Sequence, residues 1–241
     1  MAHTPAAVPA QKTYFNDLAD LFRIFADDTD VIYRGWVEQT VSDRSDRPDS
    51  RAVDLGCGSG RFAELLADRY AHVLAVDIAD AQLEMARAEH PRPNLHFEFR
   101  SLLDVAPERD GRFDLVFSVN TVHHLRAHDV ALPHLRSLVA PGGQVVVVDI
   151  IDPGQWRSRD WHIHEAFVDA EESYRHRSRD AGVAVDVLRL RLHPVWLEHM
   201  ATSIPLPEEE FRRQYGECFP GAELTRLNKV VMAMHWRHAG G

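Results

Sequence analysis

The stretch Ala52-Val53-Asp54-Leu55-Gly56-Cys57-Gly58-Ser59-Gly60-Arg61-Phe62 sets three glycines at alternate positions, where an apolar strand gives way to a helical pattern. Gly56 and Gly58 suit a tight strand-to-helix turn whose backbone passes close to a ligand. Gly60 lets the first helical turn press against the neighbouring strand. The next apolar run, His72-Val73-Leu74-Ala75-Val76-Asp77, ends in an acid 23 positions after Asp54. A carboxylate at that place can accept both hydroxyls of a ribose. Together the two segments predict a nucleoside-binding βαβ unit. The dinucleotide fingerprint does not fit, because it needs a glycine at the sixth place counted from Gly56, where Arg61 stands.

The βα alternation continues. Strands are expected at Arg51 to Leu55, at the run ending in Asp77, at Leu95 to Arg100 and at Phe113 to Ser118, with helical spacing between them and again from Asp129 to Leu138. Gly142 and Gly143 then release an almost wholly apolar run, Gln144 to Ile151. Such continuous apolarity belongs to an inner parallel strand covered on both faces. The fold class is therefore α/β with a doubly wound, Rossmann-like sheet. At 241 residues, with no long linker dividing it, the chain reads as one domain. Within that domain, residues 1–50 form an N-terminal helical cap and residues 152–210 an insertion after the fifth strand.

The spacing Gly56, Gly58, Gly60, with Asp54 two places ahead, resembles the first motif of class I S-adenosylmethionine-dependent methyltransferases. The resemblance extends in order along most of the chain. Asp77 resembles the ribose-binding acid, Gly111-Arg112-Phe113-Asp114-Leu115-Val116-Phe117-Ser118 the strand before the catalytic face, and Leu135 to Gly143 the helix and turn into the fifth strand. It implies a seven-stranded mixed sheet closed by a hairpin-like pair, Glu223 to Asn228 and Val230 to Arg237. It also implies S-adenosyl-L-methionine as cofactor and a small organic molecule of bacterial metabolism as methyl acceptor, attacked at oxygen, nitrogen or carbon. Asp54 and the glycine loop would hold the amino-acid part of the cofactor, and Asp77 its ribose. Ile78 and Gln82 would border ribose and adenine, with Ser101 and Leu102 flanking the adenine. Many relatives carry an aspartate near Ser101, so this chain departs from the pattern there.

The ends of the strands also bring Asn120 and His123 to the cleft. His123 lies in Val122-His123-His124-Leu125, a segment similar to one common in the family, and is the candidate base, with His124 its packed neighbour. Asp149 ends the fifth strand and reads as pocket scaffolding or as a histidine partner. No metal is assigned. The N-terminal segment, with Leu18, Leu21, Phe22 and Phe25 at helical spacing, is amphipathic. In related methyltransferases such a segment folds over the cofactor, which makes Tyr14 a cofactor candidate and Phe22, Tyr33 and Trp36 candidates for the substrate wall. The insertion is rich in aromatic residues and histidine, and contributes Trp161, His162 and His164 as substrate candidates and His199 as a second candidate base.

Twenty-seven Lys and Arg against 37 Asp and Glu give a formal charge of −10, which argues against a nonspecific nucleic-acid binder. No apolar run reaches the roughly 18 residues of a membrane span, and the opening residues lack the basic start and apolar core of a secretion signal. A cytoplasmic protein is expected, with homodimer formation left open. Cys57 and Cys218 make neither a metal cluster nor a disulfide framework. Three other readings stay open: methylation of a peptide or protein, a catalytically silent cofactor-binding regulator, and an NAD-dependent oxidoreductase, the last disfavoured by the glycine spacing.

Overall fold

A computed structural model describes residues 15–125 and 128–239. The strands are β1 (Arg51–Leu55), β2 (His72–Asp77), β3 (Leu95–Phe99), β4 (Phe113–Val119), β5 (Val139–Asp152), the two-residue β6 (Leu206–Pro207), β7 (Glu223–Arg226) and β8 (Val231–Arg237). The sheet runs β3-β2-β1-β4-β5-β8-β7, with β6 pairing to the end of β5 off this path. From β3 to β5 all pairs are parallel. β8 is antiparallel to both β5 and β7. The expected seven-stranded mixed sheet with its terminal hairpin is the one observed, and β6 is an addition to it.

The turn expected at Pro141-Gly142-Gly143 is a bulge within β5 and not a break before it. Val139 already pairs with Phe113, the register then shifts, and Gln144 pairs with Leu115. Gly142, at φ +74°, supplies the left-handed residue that the bulge requires.

Both faces of the sheet are buried at its centre, and the period of two in β5 shows why four valines, Val145 to Val148, follow one another. Val145 and Val147 point into one core, completed by α6 (His128–Leu138) and α10 (Glu208–Cys218). Val146 and Val148 point into the other. That second core packs α2 (Arg34–Thr40), α3 (Ala63–Arg69) and α4 (Asp80–Glu89) against the sheet. A short helix, α5 (Pro107–Asp110), precedes β4.

A third apolar cluster stands above the carboxyl ends of the strands. It joins α1 (Ala19–Thr29) to the insertion helices α7 (Arg159–Arg175), α8 (Ala181–Leu192) and α9 (Pro194–Thr202). Local signals in the sequence fix these helix starts. Ser158 Oγ accepts from Trp161 N at the start of α7, Asp180 accepts from Gly182 and Val183 N at the start of α8, and Pro194 opens α9. Cap and insertion are also joined by charge: buried Asp28 of α1 accepts from Arg177 Nε at 2.7 Å and from Ser173 Oγ at 2.9 Å. Among the described residues no helix is long and apolar enough to cross a membrane.

Candidate active site

The strand order reverses between β1 and β4, and a cavity opens beyond their carboxyl ends. Gly56 and Gly58 border it with φ +82° and +53°. A Cβ on Gly56 would coincide with the Thr121 side chain, whose Oγ1 lies 3.3 Å from the Gly56 carbonyl. Gly56→Ala is therefore expected to lower stability by about 1–2 kcal/mol and to weaken any ligand held by the loop. Urea denaturation checks the first effect and calorimetry the second; an unchanged midpoint would contradict this account of the loop.

Gly60 acts elsewhere. It does not border the cavity, and a Cβ there would stand 2.9 Å from His90 and 3.1 Å from Phe97, so its absence packs the loop against α4 and β3. Asp54 is likewise absent from the cavity lining, being 3% exposed behind the loop. Burial, with Asp77 adding and Arg61 opposing, pushes its carboxyl up to about 7.

Asp77 ends β2 and faces the glycine loop. Its Oδ2 accepts from Gly58 N at 2.8 Å and its Oδ1 from Ala79 N at 2.9 Å. Burial raises its pKa, and the backbone N–H bonds oppose that rise. Each oxygen keeps a lone pair for a ligand hydroxyl. Ile78, Gln82, Ser101 and Leu102 border the same cavity, as does Arg100, which sequence reasoning passed over. Ser101 Oγ accepts from Leu103 N at 3.3 Å, which leaves its proton to donate. Gln82 Nε2 donates to Ala19 O at 3.2 Å and so fastens α1 to the rim.

A second cavity of about 570 Å³ lies between the sheet, the cap and the insertion. Phe25, Trp156, Trp161 and Trp196 provide aromatic walls, and Tyr33, His123 and His199 provide polar groups. Phe15, Phe22, Arg61, Asn120 and His124 border both cavities, so the two meet there. The structure thus brings Phe22, Tyr33, Trp161, His123 and His199 together around one space. Trp36 and His164 border neither cavity: the first packs beside the second core and the second is exposed on α7. His162 is buried behind the wall, its Nε2 2.6 Å from Trp156 O. Tyr14 lies outside the described residues.

The polar end of this cavity is organised by Asp149. His123 donates its backbone N–H to Asp149 Oδ2 at 2.8 Å, and its Nδ1 lies 2.5 Å from Asp149 Oδ1. Both side chains are buried. A carboxylate acceptor at Nδ1 places the ring proton there and leaves Nε2 as the basic atom. The His124 ring lies 3.9 Å from that of His123, and the His199 ring 5.1 Å from that of His124. Burial, followed by the neighbouring His123, lowers the pKa of both, in His199 to about 4. Both are neutral imidazoles at neutral pH.

A buried polar network ties the cap to the glycine loop. Arg61 pairs with Asp30, and Tyr33 Oη donates to the same carboxylate at 2.9 Å. Asn120 Nδ2 donates to Tyr33 Oη at 3.1 Å. The only sequence signal for Arg61 was its place beside the glycines; Asp30 carried none.

Comparison with known proteins agrees with this architecture. A family profile described as a methyltransferase domain matches residues 53–147. An uncharacterized methyltransferase of Mycobacterium bovis is 33% identical over 187 residues, covering 77% of this chain and 85% of that protein. Ubiquinone biosynthesis O-methyltransferase of Stutzerimonas stutzeri is 27% identical over 177 residues, covering 66% of this chain and 74% of that one. O-methyltransferase cnsE of Penicillium expansum is 30% identical over 104 residues, covering 41% of this chain, and the match spans only 37% of that protein. Among solved structures, the DhpI–SAH complex superposes with a TM-score of 0.62 at 16% identity, covering 95% of this chain and 96% of that one, and so shows the same fold. On its glycine loop, its sheet and these relatives, the chain belongs to the class I S-adenosylmethionine-dependent methyltransferases.

Proposed function

We propose that the protein methylates a hydroxyl oxygen on a small, largely aromatic acceptor, with S-adenosylmethionine bound in the first cavity and the acceptor in the second. The buried His123–Asp149 pair at the polar end of an aromatic cavity is the observation that carries this reading. The first cavity fits the cofactor on chemical grounds. Asp77 presents two acceptors for paired hydroxyls, the backbone at Gly56 and Gly58 borders the cavity with no side chain of its own in between, and Ile78 and Leu102 offer apolar surface for a planar base. When bound, the cofactor supplies a methyl group made electrophilic by its positively charged sulfur.

The protein's own part is placement and proton transfer. Aromatic walls orient a flat acceptor and exclude water. His123 Nε2 would take the proton of the attacking hydroxyl, and Asp149 would stabilise the imidazolium that results. An imidazole is matched to a phenol, whose proton comes off near pH 10, and poorly matched to the far less acidic aliphatic alcohols. Named relatives that are O-methyltransferases support the choice of oxygen.

The test is incubation with methyl-labelled cofactor and a panel of phenols, carboxylic acids and amines, followed by mass spectrometry. Labelled methyl ethers are expected. Labelled amines or esters alone would refute the hydroxyl assignment, and labelled protein would select a macromolecular acceptor. In parallel, Asp77→Ala is expected to weaken cofactor binding at least about tenfold by calorimetry, since it removes two acceptors from a buried site. Unchanged affinity would remove Asp77 from the site.

A further inference from the structure

The side-chain amide of Asn120 is oriented by proton counting. Tyr33 Oη lies 2.9 Å from Asp30 Oδ1, 3.2 Å from Arg61 Nη1 and 3.1 Å from the Asn120 amide. Burial pushes the Tyr33 hydroxyl up to about 12, so it keeps its single proton at neutral pH. The Asp30 carboxylate only accepts, and therefore receives that proton. Arg61 only donates. Toward Asn120 the tyrosine oxygen can then act only as an acceptor, which places the amide NH₂ against Tyr33 and turns Oδ1 the other way. The flipped amide would set two oxygens face to face with no proton between them.

Asn120 holds φ +53°, in the left-handed region that asparagine tolerates better than most residues. Its Oδ1 is buried and makes no hydrogen bond among the described residues. Such an acceptor is a standing cost unless a ligand meets it. Of the five residues that border both cavities, Phe15 and Phe22 present rings, Arg61 is a cation balanced by Asp30, and His124 is a neutral imidazole. Asn120 alone among them carries a side-chain carbonyl, and the contact with Tyr33 fixes its direction.

We infer that Tyr33 is a positioning residue: it fixes the Asn120 amide so that the carbonyl oxygen meets the positive sulfonium charge of the cofactor where the two cavities join. This rests on the placement of cofactor and acceptor proposed above. The carbonyl dipole favours a cation at that point, and the rings of Phe15 and Phe22 add cation–π attraction. The demethylated product keeps every other group of the cofactor and loses only that charge with the methyl. The network therefore selects the methyl donor over its product.

Calorimetry on the full chain with S-adenosylmethionine and with S-adenosylhomocysteine tests this. Tyr33→Phe keeps the buried ring and removes the hydroxyl that turns the amide. It is expected to weaken the methyl donor about tenfold while the product changes less than about twofold. Asn120→Gly, which takes φ +53° without strain, is expected to show the same selective loss. Equal weakening of both ligands would make Tyr33 and Asn120 merely structural and overturn the inference, as would no change in either. Failure of the unaltered protein to bind either ligand would instead refute the cofactor placement beneath it.

Discussion

His123→Ala is expected to lower methyl transfer to a phenol by about 10²–10⁴-fold, the range usual for loss of a positioned base, with cofactor affinity nearly unchanged. The reason lies in the geometry: His123 is held at its backbone N–H and at Nδ1 by one carboxylate, which leaves Nε2 for the acceptor. Asp149→Asn keeps an oxygen for the backbone N–H but cannot neutralise an imidazolium, so a smaller loss is expected. An acceptor acidic enough to be ionised already at the assay pH needs no base. With such a nitrophenol the His123→Ala loss should shrink to a few fold. An undiminished loss with the ionised acceptor would assign His123 to shape and packing, as would loss of acceptor binding alone.

The second large effect is on stability. His199 is held down to about 4, first by burial and then by the neighbouring His123, against an ordinary value of 6.5. Between those values the unfolded chain binds a proton that the folded chain refuses. The His199 contribution is therefore fully present above about pH 6.5 and is lost as pH falls toward 4, by about 3 kcal/mol over the whole window. His124 is shifted in the same direction. Asp54 acts in the opposite sense. Raised to about 7 from 3.8, it stabilises the fold at low pH and loses that contribution as pH rises through the same range. Comparison with His199→Phe cancels the Asp54 effect, because both proteins carry it. The stability difference between the two proteins, measured by urea denaturation, is expected to shift by about 2 kcal/mol against the histidine form between pH 7.5 and 5. A difference independent of pH would contradict the buried neutral histidine.

The sheet was legible because its strands carry their burial in their composition. Val145 to Val148, buried on both faces, cannot be read otherwise. The glycine loop and Asp77 were legible because steric and hydrogen-bonding needs act there on single residues at fixed spacing. The bulge in β5 was not, since Pro141-Gly142-Gly143 reads equally as a turn before the strand; only pairing of Val139 with Phe113 decides between them.

Above the sheet the signals weaken for a physical reason. An aromatic residue on a lid helix looks the same whether it faces a cavity or a neighbouring helix, so Trp161 reached the cavity while Trp36 packed beside the core. His162 and His164 differ by one turn direction on α7, which sends one inward to the Trp156 carbonyl and the other outward. Asp30 and Arg61 lie 31 positions apart, and their pairing depends on how the cap folds back over the loop. No local pattern encodes that contact.

Cofactor and acceptor are expected in adjoining cavities, which meet at Asn120 and His124. A crystal structure of the protein with S-adenosylhomocysteine and a phenol identified by the labelling assay would show both ligands at once. The ribose hydroxyls are expected on Asp77, the adenine between Ile78 and Leu102, the sulfur at the junction beside Asn120, and the phenol oxygen within hydrogen-bond reach of His123 Nε2. A cofactor seated away from Asp77, or a phenol bound outside the aromatic cavity with His123 facing no ligand, would overturn this placement.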